Sequence, residues 1–298
     1  MKAGIVSLIG QPNVGKSTLV NALVGHKVSI VSSKPQTTRR RVLGIAQTKD
    51  YQIAFVDTPG IHEPHTKLGR AMVEQARTAL ADIDAILVVA DVARPPDELE
   101  KSIASLVTQS AASLKIPVLL ALNKMDLLKP EFVTENVEAF CELYQTDKFM
   151  MTMASKGQNL DKLVEMILGV LPDEENALFP DDEYTDQSTR FIVAELIREK
   201  VLLKTRQEVP HATAVQIEGW EDREDGITEI FATIIVEKAS QRGILIGKQG
   251  GFIKEMGIEA RKEIEELLGK RVHLDLTVKV RGEWRMNPRM LRELEYMD

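Results

Sequence analysis

The chain has 298 residues, one cysteine, five histidines and a formal net charge of −7 at pH 7. A single cysteine excludes a disulfide framework, and the scattered histidines predict no metal cluster. The length predicts about two domains, and no apolar run approaches the ~20 residues of a transmembrane helix. Residues 173–188 carry seven acidic side chains and no basic one, so the acidity does not exclude a basic surface elsewhere.

Short apolar runs alternate with helical patterns in the first part of the chain. Alternation of this kind predicts an α/β fold with a largely parallel sheet, which binds ligands at the carboxyl ends of its strands. We predict this domain over residues 1–172. Its predicted strands are residues 4–9, 51–57, 85–91, 118–124 and 149–153.

The first predicted strand runs into GQPNVGKS at residues 10–17, which matches the phosphate-binding pattern G-x-x-x-x-G-K-[ST]. In this pattern backbone N–H groups at a helix N-terminus surround the phosphates. Lys16 is expected to reach the β- and γ-phosphates, and Ser17 to ligate Mg²⁺. The predicted phosphate-binding residues are Gly10, Asn13, Val14, Gly15, Lys16, Ser17 and Thr18.

Two further motifs end later strands. Asp57 begins Asp-Thr-Pro-Gly, where its carboxylate can hold Mg²⁺ through water and the N–H of Gly60 can sense the γ-phosphate. Asn123-Lys124-Met125-Asp126 ends the fourth predicted strand, and its aspartate can accept hydrogen bonds from the two donors of guanine. Adenine lacks that donor pair. The three motifs in this order predict a magnesium-dependent GTP site.

The acidic segment 173–188 contains Pro180 and predicts a linker between domains. The alternation of strands and helices seen in residues 1–172 does not continue after this segment. Residues 189–298 predict a helix capped by Ser188, two strands, two helices, a strand and a short last helix that starts at Pro288. This order predicts an α+β second domain.

Gly247-Lys248-Gln249-Gly250 follows the apolar run GILI and precedes a predicted helix of the second domain. It lacks the spacer of a phosphate loop but fits G-x-x-G of a type II KH domain, which clamps single-stranded RNA along its backbone. Basic side chains nearby would contact phosphates. Trp284 is predicted either to stack a base or to be a buried anchor. The predicted RNA-binding residues are Arg242, Gly247, Lys248, Gln249, Gly250, Lys254, Arg261, Arg281 and Arg285.

Residues 1–172 resemble the Ras-like GTPases of the translation-factor branch, and Gln36-Thr37-Thr38-Arg39 resembles the switch I segment of the Era GTPases. The resemblance implies that a switch threonine meets Mg²⁺ when GTP is bound. Thr37 and Thr38 are both candidates. It therefore implies a catalytic set of Lys16, Thr37, Thr38 and Gly60, with Ser17, Thr37, Thr38 and Asp57 at the metal.

Three positions bear on the mechanism. Ile61 stands where Ras-like enzymes place a water-orienting glutamine, so we expect slow intrinsic hydrolysis. Met153 replaces the serine of the usual guanine loop, which leaves the backbone of Ala154, with Ser155, to meet the base. Asn13 resembles the asparagine of GTPases that use K⁺ as a positive charge. The alternative is that Asn13 only shapes the loop.

The whole chain, including GIEARK at residues 257–262, resembles the Era family of bacterial GTPases. The resemblance implies a GTPase that binds 16S rRNA near its 3′ end through a KH domain and acts in 30S subunit assembly. We expect a cytoplasmic monomer, with contact at the inner face of the cell membrane left open. The alternatives are an RNA-binding module with a mainly structural nucleotide domain and a membrane-linked GTPase regulator.

Overall fold

The computed structural model describes residues 1–297; Asp298, which ends the predicted second domain, lies outside the described residues. The described chain forms two compact units. No described helix has both the length and the apolar character needed to span a bilayer. Unit 1 contains residues 1–29, 38–64 and 72–187, and unit 2 contains residues 30–37, 65–71 and the chain from residue 188 onward.

Unit 1 is built on a six-stranded sheet with the order β2-β3-β1-β4-β5-β6. The pair β2–β3 is antiparallel, and the other pairs are parallel. The central strands are nearly continuous runs of buried apolar residues, as expected for a sheet covered on both faces. This confirms the predicted α/β fold. The strands are β1 (Lys2–Ile9), β2 (Val42–Gln47), β3 (Tyr51–Asp57), β4 (Ala85–Asp91), β5 (Val118–Asn123) and β6 (Phe149–Met151).

Four α-helices connect these strands, and a fifth follows β6 in the described part of unit 1. The longest begins where the side chain of Asp97 accepts a hydrogen bond from the N–H of Glu100, a standard helix N-cap. Its buried face includes Ile103 and Val107, which join the core beside the sheet. The helices are α1 (Lys16–Val24), α2 (Lys67–Thr78), α3 (Glu98–Leu114), α4 (Val133–Tyr144) and α5 (Leu160–Leu168).

The edge strand β2 is absent from the strands that the sequence predicts. It contains Gly44, which weakens the apolar pattern of a strand. A Cβ atom at Gly44 would lie 2.9 Å from side-chain carbons of both Val20 and Val24. The glycine therefore allows α1 to pack closely on β2.

The acidic segment lies along β2. Ile45 donates its N–H to the carbonyl of Tyr184 at 2.9 Å, and the Thr185 hydroxyl donates to the carbonyl of Leu43 at 2.6 Å. The ring of Tyr184 stacks on His26 with centroids 4.5 Å apart. Residues 173–187 therefore belong to unit 1 as a strap along the edge strand, in the segment that the sequence suggests as a linker.

Unit 2 has a three-stranded sheet with the order β7-β8-β9, in which β7–β8 is antiparallel and β8–β9 is parallel. Ser188 caps the first helix by accepting from the N–H of Phe191, as its sequence position suggests. The element order α-β-β-α-α-β confirms the predicted KH fold. The elements are α6 (Thr189–Lys204), β7 (Ala214–Asp222), β8 (Thr228–Val236), α7 (Ala239–Ile246), α8 (Gly251–Leu268), β9 (Val272–Val280) and α9 (Pro288–Glu293).

Candidate functional site

The phosphate loop connects β1 to α1 in unit 1. Gly15 has φ +106°, and a Cβ atom there would lie 2.3 Å from Nδ2 of Asn123. A Cβ atom at Gly10 would lie 2.2 Å from the carbonyl oxygen of Val89. Both positions therefore require glycine, one for its backbone angle and both for space. Asn13, with φ +65°, is exposed on the same loop.

Lys16 is the first residue of α1 and is buried. Its Nζ donates to the carbonyls of Gly10 and Gln11 at 3.0 and 2.9 Å. Burial lowers the pKa of Lys16 to about 8, although the charges of Asp57 and Glu100 act in the opposite direction. The ammonium is thus held over the loop at a cost that bound phosphates would offset.

Three oxygen-bearing side chains of unit 1 meet at the start of α1. The hydroxyls of Ser17 and Thr38 lie 2.8 Å apart, and Ser17 donates to Oδ2 of Asp57 at 2.8 Å. Asp57 is fully buried, which raises its pKa, and its Oδ1 has no hydrogen-bond partner within residues 1–297. Hard oxygen donors around an unsatisfied buried carboxylate fit Mg²⁺.

Thr37 points elsewhere. Its hydroxyl donates to the carbonyl of Lys34 at 2.7 Å, and its own carbonyl accepts from the buried guanidinium of Arg198 on α6. Both of these contacts are internal to unit 2. Of the two threonines that the sequence leaves open, the structure brings Thr38 to Ser17 and Asp57, and it does not bring Thr37 there.

Asn123 links the phosphate loop to the predicted guanine loops of unit 1. Its Nδ2 donates to the carbonyl of Val14 at 2.8 Å. Its Oδ1 accepts from the N–H of Ala154 at 3.0 Å and from the Thr152 hydroxyl at 3.2 Å. All these groups are buried, so the asparagine fixes the spacing between the phosphate and base ends of the site.

The base end itself is open. Lys124 has φ +61° and forms an ion pair with Asp91 at 2.7 Å, which lowers the pKa of that aspartate against the opposing effect of burial. Asp126 lies in the short 3₁₀ turn that follows and is exposed, as is Ser155. An exposed carboxylate at this edge is available to a base.

The Asp-Thr-Pro-Gly motif lies directly against the phosphate loop. A Cβ atom at Gly60 would be 2.8 Å from the backbone of Pro12, so only glycine allows this approach. Ile61 donates its N–H to the Gly10 carbonyl at 3.4 Å, and its side chain packs against the apolar core. An aliphatic side chain there cannot orient a water molecule.

The second loop is formed in unit 2 between α7 and α8. Gly247, Gln249 and Gly250 have φ values of +70°, +53° and +75°. A Cβ atom at Gly247 would lie 2.5 Å from Cβ of Phe252. Lys248 is exposed at the tip of the loop. Glycine at two of these positions leaves the backbone uncovered by side chains, so a sugar-phosphate chain can approach it closely.

An apolar groove of about 210 Å³ lies between α8 and β9 in the same unit. The predicted Lys254 and Arg261 stand on its rim and are exposed. Its apolar lining suits base faces, and its basic rim suits phosphates. The lining residues are Ile253, Lys254, Gly257, Ile258, Arg261, Leu274 and Leu276.

The remaining predicted RNA contacts differ among themselves. Arg242 and Arg281 are exposed, although Arg242 donates to the carbonyl of Val278 at 3.2 Å. Arg285 is half-buried in an ion pair with Glu237 at 2.5 Å. Trp284 is fully buried and donates to the carbonyl of Ala212 at 2.8 Å. It is therefore the buried anchor of the two alternatives and has no free face for a base.

Comparison with known proteins agrees with both units. Residues 5–124 match the family model described as 50S ribosome-binding GTPase, and residues 208–285 match the KH domain model. The chain is 45% identical over 296 residues to GTPase Era of Geobacter metallireducens, covering 99% of this chain and 98% of that protein. The chain belongs to the Era family of GTPases.

Two solved structures are similar over the full length of the chain. Both have a TM-score of 0.94 and cover 100% of this chain and of their own. One is an Era variant from Aquifex aeolicus bound to GDP·AlF4⁻, at 39% identity. The other is Era in complex with MgGDPNP and nucleotides 1506–1542 of 16S ribosomal RNA, at 40% identity.

Two residues that contact the backbone at Val31 and Thr37, at and just before switch I, do not follow from the sequence. Besides Arg198, Glu199 of α6 accepts from the N–H of Val31 at 2.8 Å, also within unit 2. Charged residues on a helix normally face solvent, and both side chains here are buried. The helical pattern of α6 gives no signal that these two charges face inward.

Proposed function

We propose that the chain is a GTP-hydrolysing switch that binds 16S rRNA near its 3′ end through the KH unit and acts in 30S subunit assembly. One observation carries the proposal: a single chain combines a guanine-nucleotide site with a G-x-x-G groove. The full-length similarity to an Era structure that holds GDPNP and 16S rRNA nucleotides supports it. We also propose that the chain acts as a monomer.

Ser17, Thr38 and Asp57 would hold Mg²⁺ in the loaded enzyme. Bound there, Mg²⁺ neutralises charge on the β- and γ-phosphates. The buried Oδ1 of Asp57 supplies the acceptor that a water ligand of the metal needs. Thr38 comes from switch I, so its hydroxyl reaches this site only when that segment is ordered.

Hydrolysis would depend on positioning and charge. Lys16 donates to the β- and γ-phosphates, and the N–H of Gly60 meets the γ-phosphate. Ile61 supplies no hydrogen bond to water, so the nucleophile is held by other groups and turnover is slow. The same residue favours a second candidate, an RNA-binding module whose hydrolysis is incidental. GTP turnover measured with and without RNA separates the two, because only the switch is stimulated or inhibited by RNA.

A potassium ion is proposed near the exposed Asn13, where its charge would replace an arginine finger. Faster hydrolysis in K⁺ than in Na⁺ at matched ionic strength is expected. Asn13→Ala should remove the difference between the two salts while GTP binding persists. Equal rates in the two salts for the original chain would leave Asn13 with a role in loop shape alone.

Coupling between nucleotide and RNA is proposed to pass through switch I and α6. Arg198 and Glu199 hold the backbone of Thr37 and Val31, while the next residue, Thr38, faces the metal site. Ordering of this segment by GTP would therefore alter contacts of the helix that begins the KH unit. Linkage requires RNA to favour the GTP form by the same free energy.

The cell location follows from the proposed partner. An rRNA-binding protein would work in the cytoplasm, with any membrane contact peripheral at the inner face. Co-sedimentation with vesicles of phosphatidylglycerol and phosphatidylethanolamine tests that contact. Pelleting that depends on the vesicles would support the membrane-linked regulator, and protein left in the supernatant would count against it.

Nucleotide and RNA titrations test the whole proposal. GTP and GDP with Mg²⁺ should bind in calorimetry, and ATP should not. Asp126→Asn should weaken GTP and admit xanthosine triphosphate, because an amide can accept from the ring N–H and donate to the xanthine carbonyl. A chain that ignores GTP and GDP, or that fails to retain a 16S 3′-end transcript at low salt, would contradict it.

A further inference from the structure

Unit 1 has a groove between α4 and the edge strand β6, at the opposite end of the sheet order from β2. Its volume is about 850 Å³, within the range of pockets that bind ligands. Val133, Val137 and Cys141 are spaced four residues apart along α4 and form one apolar stripe in it. Phe149 and Met151 of β6 form the opposite side.

Phe149 is 38% exposed, and just before α4 Phe132 is 44% exposed. The stripe on α4 is half-buried. Of the two rings, Phe149 lines the groove and Phe132 does not. The stripe packs partly against the core, and its outer face together with the Phe149 ring leaves apolar surface open to water, which is unfavourable for an isolated protein. The nucleotide and RNA sites described above use none of these residues.

The charge of the groove is of one sign. Glu138, Glu142 and Asp147 line it, and no basic residue does so among those described. Lys148, the nearest basic residue in the sequence, is exposed but does not line the groove. An apolar floor with three carboxylates attracts a cationic apolar ligand and repels phosphate.

The edge of the sheet adds a third feature. β6 is the last strand in the order and pairs with β5 within the described chain. The outer edge of such a strand presents backbone N–H and C=O groups to an incoming extended peptide. β6 has three residues, and the carbonyl of Met151 already accepts from Nδ2 of Asn159 at 2.7 Å. The strand edge therefore offers one or two main-chain hydrogen bonds to a peptide, and the groove would select its side chains.

We propose that the groove between α4 and β6 is a docking site for a basic peptide segment of a protein partner, one that carries lysine or arginine beside apolar side chains. The apolar side chains enter between Val137, Cys141 and Phe149, and the cations meet Glu138, Glu142 and Asp147. RNA and anionic lipid are disfavoured by the same carboxylates. The inference does not depend on the proposed rRNA function.

A defined probe tests the groove in the full-length chain. A fluorescein-labelled peptide of alternating leucine and lysine should bind, measured by anisotropy. A peptide of alternating leucine and glutamate should not bind, and one of alternating serine and lysine should bind more weakly. Alkylation of Cys141, the chain's single thiol, with a bulky maleimide should block binding. A Cys141→Ser chain treated in the same way should keep it.

Charge reversal supplies the matched comparison. The double variant E138K/E142K should weaken the leucine–lysine peptide about tenfold or more, since two attractive pairs become repulsive. The control E131K/E135K makes the same change of net charge at two exposed residues, on or next to α4, that do not line the groove. GTP and RNA binding should be unchanged in both variants, which also shows that they fold.

Three results would overturn the proposal. The first is absence of peptide binding at millimolar concentration. The second is equal loss in the groove variant and in the control, which would mean attraction to the acidic chain in general. The third is a dimer in sedimentation equilibrium that E138K/E142K abolishes, which would make the groove an interface between copies of this chain.

Discussion

The nucleotide site of unit 1 and the RNA groove of unit 2 both use a glycine-rich loop before a helix, but they differ in burial. Lys16 and Asp57 are 6% and 0% exposed; the Lys16 ammonium is bonded to the loop, and Oδ2 of Asp57 is bonded to Ser17. Lys248 at the loop tip and Lys254 on the groove rim are both exposed. Removing one member of a buried hydrogen-bonded network disables the whole network, whereas exposed groups contribute separately and weakly to binding.

The largest effect should come from removing the buried ammonium. Lys16→Ala is expected to lower GTP turnover by about 100- to 1,000-fold, because one preorganised donor to developing charge is lost. Single-turnover hydrolysis measures it. Lys129→Ala, at an exposed position of the same unit, should change turnover less than twofold. A tenfold or smaller loss for Lys16→Ala would show that removing one member does not disable the buried network.

Substitutions at two glycines of the RNA loop distinguish the effect of backbone strain from the effect of an added methyl group. Gly247→Ala places a methyl group 2.5 Å from Phe252 Cβ at φ +70°, so RNA affinity should fall about tenfold, from strain of the order of 1–3 kcal/mol. Gly251 has helical angles and open space around its Cα. Gly251→Ala should therefore bind RNA normally in a filter or anisotropy assay. Equal losses in the two variants would mean that any added methyl group blocks RNA.

The pKa of Lys16 gives a pH test of the buried site. Its pKa of about 8 lies below that of a free lysine, and bound phosphates favour the charged form, so binding takes up a proton above pH 8. GTP affinity should fall by up to about tenfold between pH 7 and 9. Calorimetry in two buffers of different ionisation enthalpy measures the uptake. A GTP affinity that rises between pH 7 and 9 would contradict the predicted proton uptake on binding.

The smallest effects should come from single cations on the groove. Lys254→Ala and Arg261→Ala should each weaken RNA binding by a few-fold and reduce the slope of log affinity against log salt by roughly 0.7. Affinity over a range of KCl concentrations measures both. Arg271→Ala is the matched control, since Arg271 is exposed but does not line the groove. A hundredfold loss of RNA affinity on replacing one of the rim cations would show that exposed groups of unit 2 matter as much as the buried groups of unit 1.

The sequence predicts much of unit 1 because its information is local. Buried parallel strands read as apolar runs, and the three nucleotide motifs lie at strand ends, where α/β folds bind ligands. The G-x-x-G loop is recognisable for the same reason. Gly247 and Gly250 take backbone angles that other residues disfavour.

Other features depend on contacts between distant residues. The strand β2 is not predicted from the sequence because Gly44 interrupts its apolar pattern. The glycine is needed there to let α1 pack against the strand. The choice between Thr37 and Thr38 depends on which side chain reaches Ser17, and adjacent threonines carry no such signal. The inward-facing charge of Arg198 is set by switch I, more than a hundred residues earlier in the chain.

The most direct measurement is a calorimetric titration of a 16S 3′-end transcript into the chain, once with GDP and once with a non-hydrolysable GTP analogue, both with Mg²⁺. We expect RNA to bind in both states and more tightly with the analogue, by the fivefold or more typical of coupled sites. RNA binding that is equal in the two states would contradict the switch, and no RNA binding in either would contradict the assignment of the KH groove.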